Sequence, residues 1–271
     1  MINLFGLNRE QIIQENTIEA GHMPELAINS DIANITFLTH DKQQVNIVLE
    51  TYEKGPELQV NVVNEKLEIN ARVQKERRIG IIVQPKSCKL EVKLPKNFAD
   101  HYTIQTSAGN ISAADLVFNQ AFLKTGAGNI RLENMNATKV ELESGAGNIK
   151  VKSIDSVIFL AESGAGNIEG SLCTGSITAR TGSGNVRFTV NGEQDLKMKS
   201  GAGNINVLFT RPENLNATIK ASAGLGNVKS ELPSHKNKNT TNELSSAIGK
   251  GENSFHFKTG VGNIHLAKEN Y

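Results

Sequence analysis

The sequence has no tryptophan, only two cysteines, and an aromatic fraction of 5% in 271 residues. Cys88 and Cys173 lack the spacing of a metal-binding pair and are too few for a disulfide framework. No apolar run approaches the roughly 20 residues of a transmembrane helix, so no membrane span is expected. The first residues lack the basic stretch and apolar core of a secretory signal, and on that ground a cytoplasmic location is expected.

Charge of either sign is not in excess. Lys and Arg number 29 and Asp and Glu number 28, which gives a net charge of +1. Nucleic-acid-binding domains are usually basic, so we expect no nucleic-acid partner. With no Trp and three Tyr, the chain offers no exposed aromatic stripe of the kind that binds sugars. The composition therefore does not support carbohydrate recognition.

Glycine, in contrast, is abundant, and most of the 24 glycines belong to one repeated phrase, Gly-x-Gly-Asn-Ile or a close variant. The steps between successive Asn residues are 19, 19, 19, 18, 19, 23 and 36. A fixed period over eight copies indicates a repeat architecture in which each unit packs on its neighbours. The Gly and Asn residues of the eight predicted corners are Gly109, Asn110, Gly128, Asn129, Gly147, Asn148, Gly166, Asn167, Gly184, Asn185, Gly203, Asn204, Gly226, Asn227, Gly262 and Asn263.

Strands are predicted on both sides of each corner. Before Asn148, apolar or small residues at 140, 142 and 144 alternate with Glu141 and Glu143, and a similar alternation follows the corner. Period-two alternation indicates strands with one buried face. Short units without helices predict an all-β fold, a single-stranded β-solenoid with coils of about 19 residues stacked at roughly 4.8 Å. A β-sandwich of hairpins would also alternate, but it gives no reason for the same corner to recur.

The Ile or Val after each Asn is expected to form one buried column. Its members are Ile111, Ile130, Ile149, Ile168, Val186, Ile205, Val228 and Ile264.

Outside the regular repeats the pattern is weaker. We expect residues 1–24 to form an N-terminal cap, 25–100 an irregular strand region of degenerate coils, and 101–271 the regular solenoid. Asn34 precedes Asn110 by 76 residues, four periods of 19, which agrees with degenerate coils although coincidence also explains it. A hairpin turning through Asn64 is expected in 60–69. The polar stretch at 230–246 is expected to be an exposed, dispensable loop.

Two features together resemble a known family. These are the repeated Gly-Ala-Gly-Asn-Ile corner and the stretch Leu90-Glu-Val-Lys-Leu-Pro95 followed by Tyr102-Thr-Ile-Gln-Thr-Ser-Ala-Gly-Asn-Ile111. The sequence is similar over residues 27–268 to the bacterial "putative adhesin" family, a domain of unknown function. The resemblance implies a right-handed β-solenoid and a place at the cell envelope or surface, and it supplies no catalytic residues.

The corners themselves are interpreted as structural. They lack the third glycine and following helix of a dinucleotide loop, and they lack the Asp of calcium-binding β-roll turns. Glycine accepts a positive φ, Asn tolerates the left-handed region, and stacked amides can form a hydrogen-bond ladder. We therefore expect no cofactor, no metal and no catalytic residue there.

Two other groups of residues could carry chemistry. Glu143 and Glu162 share one offset and are expected about 5 Å apart, an exposed charge ladder with Lys124 and Arg180 at its ends. A carbohydrate-active enzyme using these carboxylates is the remote alternative. His256 and His265 flank the last corner and could approach each other, but two histidines make an incomplete metal site.

The sequence thus predicts a protein that is not an enzyme. One hypothesis is an adhesin-like or envelope-associated binding module, whose partner is an unknown protein or envelope component. The alternative is a cytoplasmic structural protein that forms homo-oligomers through its terminal coils.

Overall fold

The computed structural model describes residues 11–21, 23–73, 87–233 and 235–269, and regular structure there is almost entirely β-strand. In chain order the strands are β1 (Gln11–Glu19), β2 (Glu25–Ser30), β3 (Ala33–His40), β4 (Gln44–Tyr52), β5 (Pro56–Val63), β6 (Lys66–Val73), β7 (Cys88–Pro95), β8 (His101–Ala108), β9 (Ile111–Ala114), β10 (Gln120–Ala127), β11 (Ile130–Ala146), β12 (Ile149–Ala165), β13 (Ile168–Cys173), β14 (Ser176–Ser183), β15 (Val186–Val190), β16 (Leu196–Ala202), β17 (Ile205–Phe209), β18 (Ala217–Leu225), β19 (Val228–Ser230), β20 (His235–Asn239), β21 (Glu243–Ile248), β22 (Asn253–Val261) and β23 (Ile264–Lys268). A turn of 3-10 helix spans Pro212–Asn214. The all-β prediction is confirmed.

Each repeat forms one rung, which consists of an upstream strand, the corner, and a downstream strand. The long strands β11 and β12 each supply the downstream strand of one rung and the upstream strand of the next. Adjacent rungs pair in parallel, with Ile130 opposite Ile149 and Ile168 opposite Val186. These registers are 19 and 18 residues, so the sequence period is the step from one rung to the next.

The rungs build two faces, the upstream face and the downstream face, whose strand orders differ from the chain order. The upstream face runs β5-β6-β2-β8-β10-β11-β12-β14-β16-β22-β18-β21-β20. The downstream face runs β1-β4-β7-β3-β9-β11-β12-β13-β15-β17-β23-β19. The last repeat in sequence, β22 and β23, is therefore inserted between the rung of β16 and β17 and the rung of β18 and β19.

The core lies between the two faces and follows the predicted alternation. The column that includes Ile130, Ile149 and Ile168 has no exposed surface at these positions. Val228 is only partly buried, because its rung ends the stack. The prediction of a buried Ile column is confirmed for the other seven members.

The stretch at 230–246 is not the simple loop expected from its polarity. Strand β20 pairs antiparallel with β21, and β21 pairs antiparallel with β18, so the two strands form a terminal hairpin at the end of the upstream face. Leu244 and Ser246 are buried, at 3% and 1% exposure. The stretch is polar overall, but alternate residues of β21 face inward. Strand β21 also pairs with the edge of β18 that would otherwise be unpaired.

The N-terminal part continues the same stack. Strands β2 and β3 pair directly with β8 and β9, which brings Asn34 next to Asn110. The predicted hairpin is present, because β5 and β6 pair antiparallel and turn at Asn64 and Glu65. Of the expected cap at 1–24, residues 1–10 and 22 lie outside the described residues, and β1 lies along β4 at the edge of the downstream face. Residues 74–86 and 270–271 also lie outside them.

Candidate functional site

The corners form a continuous hydrogen-bonded column, the Asn ladder. In each rung the side-chain Oδ1 of the Asn accepts a hydrogen bond from the backbone N–H of the Asn in the next rung, at 2.8–2.9 Å. In spatial order its members are Asn34, Asn110, Asn129, Asn148, Asn167, Asn185, Asn204, Asn263 and Asn227. The ladder thus contains all eight predicted corner Asn residues and adds Asn34.

The side-chain oxygen, and not the backbone conformation, explains Asn in these corners. None of the corner Asn residues has a positive φ, so the expected use of the left-handed region is wrong here. Left-handed residues instead form a second column five positions later, with φ between 54° and 59°: Asp115, Asn134, Ser153 and Leu172.

The corner glycines allow a close approach of neighbouring rungs. A Cβ on Gly147 would lie 1.9 Å from the carbonyl oxygen of Gly128, and one on Gly128 would lie 2.0 Å from that of Gly109. Gly147 has a φ of 154°, as expected, whereas Gly128 lies outside the left-handed region. Close approach is therefore the shared requirement, and positive φ is an additional one in most rungs.

A buried hydroxyl tightens each of these corners. The Oγ of Ser144 donates to the carbonyl oxygen of Gly128 at 2.9 Å, and the Oγ of Ser163 donates to that of Gly147 at 2.9 Å. A Ser or Thr makes the same bond in four further rungs. These bonds occupy the Oδ1 atoms of the Asn ladder and the Gly carbonyl oxygens, so these acceptors already have donors within the protein.

The two glutamates considered as catalytic candidates are direct neighbours on β11 and β12. Each one has its own cation, since Lys124 Nζ lies 2.7 Å from Glu143 and Arg180 lies 2.7 Å from Glu162. The side chain of Glu162 is exposed and that of Glu143 is half-buried. This arrangement is a charge ladder across four rungs on the upstream face.

The two histidines do not meet. His256 lies on β22 of the upstream face, between Lys197 and Lys220 of the adjacent strands. His265 lies on β23, where its Nε2 is 3.0 Å from Glu231. Hydrogen bonds from His265 and from Lys229 hold the pKa of the Glu231 carboxyl below its usual value. The expected approach of His256 and His265 is wrong because the corner separates their strands.

Cys88 and Cys173 are both buried and do not form a disulfide with each other. Burial raises the pKa of the Cys173 thiol to about 11 and also raises that of Cys88. A raised pKa keeps a thiol protonated and unreactive near neutral pH. Within the described residues, no group of three or more His, Cys, Asp or Glu side chains is arranged to hold a metal ion.

Beyond the charge ladder, the upstream face carries a group of cations that are far apart in the sequence but adjacent in the structure. We call it the basic patch, and it consists of Lys197, Lys199, Lys220, His256 and Lys258. These residues line an open groove of about 560 Å³ together with Ser222, Glu243 and Ser245. Sequence order placed Ser222 between Lys199 and Lys258, whereas in the structure Lys199 pairs directly with Lys258. The 36-residue final step was the available signal that the last repeats are not stacked in chain order.

The part of the chain that the structure describes contains no helix long and apolar enough to cross a membrane. A family model described as Toastrack DUF4097 matches residues 23–267. No curated protein matches the chain significantly.

Several solved structures resemble the chain at low sequence identity. A "putative adhesin" from Bacteroides fragilis NCTC 9343 has a TM-score of 0.55 and 14% identity, covering 96% of this chain and 100% of that one. A "putative adhesin" from Parabacteroides merdae ATCC 43184 has a TM-score of 0.37 and 12% identity, covering 98% of each chain. A "putative cell adhesion protein" from Clostridium sporogenes ATCC 15579 has a TM-score of 0.32 and 14% identity, covering 96% and 100%. The first of these supports a shared fold.

Proposed function

The chain belongs to the Toastrack DUF4097 family, and from this premise we propose that it is a non-enzymatic, adhesin-like binding module of the cell envelope. The observation that carries the proposal is the stack itself. Nine rungs are joined at their corners by the Asn ladder, and this fixes the spacing of the outward side chains on two long faces. A stack of this kind presents a surface, which is what an adhesive module requires.

Rigidity of that surface follows from the packing. Inward side chains such as Ile149 are fully buried, successive corners are joined by backbone-to-Asn bonds, and six of the nine rungs add a hydroxyl-to-Gly bond. A partner that binds a preorganised surface does not have to spend binding free energy on ordering it. The proposed role is therefore recognition by an extended face and not by a deep pocket.

Location is tested by fractionating the native cells. We expect the protein in the envelope fraction, and purified protein should bind isolated envelopes in a saturable manner. The matched control is a variant unfolded by Ile149→Asp, which should lose saturable binding. A wholly cytosolic native pool, together with no binding to envelopes, would refute the proposal.

Absence of turnover is the second element of the proposal. It is supported by the ion pairs of Glu143 and Glu162, since each carboxylate lies beside its own cation on an open, charged face. Incubation with a panel of acidic and neutral polysaccharides should release no fragments. Depolymerisation that disappears in Glu143→Gln or Glu162→Gln would reassign the protein as a carbohydrate-active enzyme.

The path of the chain is a further element. We propose a right-handed, single-stranded β-solenoid with coils of about 19 residues, supported by the 18- and 19-residue registers of β11 to β15. Almost all parallel crossover connections within one sheet are right-handed. An experimental structure of the full chain tests the handedness directly, and left-handed coils would refute it.

An end-to-end structural protein is the alternative, and one observation favours it. Among the described residues, β1 pairs with β4 alone, and the side chains of Ile12 and Ile13 on it are exposed. An exposed, apolar edge strand can accept a strand from another copy. Light scattering would then show concentration-dependent dimers that Ile13→Lys abolishes, whereas a monomer at all concentrations would exclude this function.

A further inference from the structure

We propose that the basic patch binds an acidic polysaccharide, a sugar chain that carries carboxylate or sulfate groups. The inference deepens the proposed function, because it names the partner that one part of the adhesive surface would recognise.

The patch is a compact array on three adjacent strands, β16, β22 and β18. Lys199 is opposite Lys258, and His256 lies between Lys197 and Lys220. Neighbouring strands are about 4.8 Å apart, and alternate residues of one strand are about 6.8 Å apart. Four lysines and a histidine therefore lie within roughly one nanometre.

Among the described residues, the lysines of the patch have no ion-pair partner, in contrast to Lys124 and Arg180 of the charge ladder. Lys124 and Arg180 each contact a glutamate at 2.7 Å. No salt bridge within the described residues involves any of the four patch lysines. Their charge is thus available to an anionic ligand, although the protein as a whole has a net charge of only +1.

This arrangement carries an energetic cost in the free protein. Like charges directly opposite each other on neighbouring strands are destabilising, and Lys199 and Lys258 form such a pair. An anion bound across the two strands would replace this repulsion with attraction. The ligand that gains most is one whose negative groups repeat along a chain, because the cations also repeat from rung to rung.

The groove indicates a sugar chain in preference to other polyanions. Serines 222 and 245 stand beside the lysines, and their hydroxyls suit the hydroxyl groups of a sugar. Phe257, the only Phe, Tyr or Trp of the lining, is buried at 1% exposure. The patch therefore exposes a single ring, that of His256, and not the series of aromatic side chains on which successive nucleic-acid bases stack.

Recognition by lysine is also consistent with an extended, chemically uniform ligand. A lysine acts as a point charge on a flexible stem, whereas arginine provides planar bidentate recognition. The absence of an aromatic stripe argues against neutral sugars, and charge supplies the recognition instead.

The test measures binding of purified full-length protein to polygalacturonate and to heparin by titration calorimetry at low ionic strength. The double variant Lys199→Gln/Lys258→Gln should weaken binding about tenfold, since the two exposed charge contacts together contribute about 1.4 kcal/mol. The matched control, Lys150→Gln/Lys152→Gln on the downstream face, removes the same net charge and should stay within about twofold. Both variants change exposed side chains, and thermal melts should show that they fold as the wild type does.

Three results would overturn the inference. These are no binding to either polysaccharide, an equal loss in the control variant, or binding to phosphatidylserine vesicles or single-stranded DNA that equals the polysaccharide affinity and falls in the patch variant. The experiment uses purified protein, so its failure would leave the proposed envelope association intact. Conversely, if the native protein were cytosolic, the envelope proposal would fail, but measured polysaccharide binding would still support this inference.

Discussion

Gly147→Ala should destabilise the stack strongly, because the added methyl has no space. The Cβ would lie 1.9 Å from the carbonyl oxygen of Gly128 and 3.1 Å from the Oγ of Ser144. That hydroxyl donates its hydrogen bond to the same carbonyl. The added methyl would clash with backbone atoms of the adjacent rung. The clash can be removed only if the two rungs separate at the corner.

Two costs add at this position. Overpacking a tightly packed site costs about 1–3 kcal/mol. Holding alanine at the φ of 154° seen for Gly147 adds about 1–3 kcal/mol, the usual cost of a sparsely populated backbone conformation. Their sum, about 2–6 kcal/mol, is a large part of the typical 5–15 kcal/mol stability of a domain. At roughly 2–4 °C per kcal/mol for a chain of this size, the melting temperature should fall by at least about 4 °C.

The measurement is a thermal melt followed by far-ultraviolet circular dichroism, with Ala146→Ser as the control. Ala146 is the adjacent corner residue, and Ser183 stands at the same place two rungs further on. The control should therefore melt close to wild type. If Gly147→Ala melted there too, close packing of the rungs could not be the reason for glycine in the corner.

Four smaller experiments examine other parts of the stack. Ile149→Asp should lower the free energy of unfolding by several kcal/mol because it buries an unpaired charge. Lys150→Gln should change it by less than about 0.5 kcal/mol. Equal melting temperatures of the two variants would show that the assignment of inward and outward residues is wrong. Asn148→Ala should cost about 1 kcal/mol by removing one ladder acceptor, and Asn148→Asp, which keeps an oxygen there, should cost less. Leu172→Asn should stabilise by about 1 kcal/mol, because asparagine tolerates the left-handed conformation better than leucine; a lower melting temperature would contradict this. Replacing the terminal hairpin with a Gly-Ser link should lower the melting temperature by exposing the edge of β18. An unchanged melting temperature would instead support the prediction of a dispensable loop.

The regular part of the fold could be predicted because its information is local. Alternation on either side of each corner fixes which side chains face inward, and a slip of one residue would expose the whole Ile column. The period then gives the register of β11 on β12 directly. Asn34 departs from this rule, because it lies on the rung adjacent to that of Asn110 although 76 residues, four periods, separate the two in the sequence.

The order of the rungs at both ends could not be predicted in the same way. Every rung presents the same corner and a similar buried column, so any rung can stack on any other with little difference in local energy. Lengthening the connection adds closure entropy only slowly. The steps of 23 and 36 residues are therefore compatible with several stacking orders, and tertiary pairing decides among them.

Of the candidate sites, the corners were identified from the sequence and the basic patch was not. Corner residues recur at a fixed spacing, which makes them visible in one chain. The patch depends on β16 and β22 being neighbours, although Lys199 and Lys258 are 59 residues apart in the sequence. No periodic pattern contains that information.

The terminal hairpin and the basic patch are two consequences of one arrangement. Strand β21 pairs with the outer edge of β18, so the chain that follows it cannot add a further rung there and must return to the inner edge. That return inserts β22, which brings Lys258 beside Lys199 and places His256 between two lysines. Stacking in chain order would have put Ser222 beside Lys199 instead, and the cations would have been spread over a longer surface. The closure of the edge at one end of the stack thus also concentrates positive charge on the upstream face.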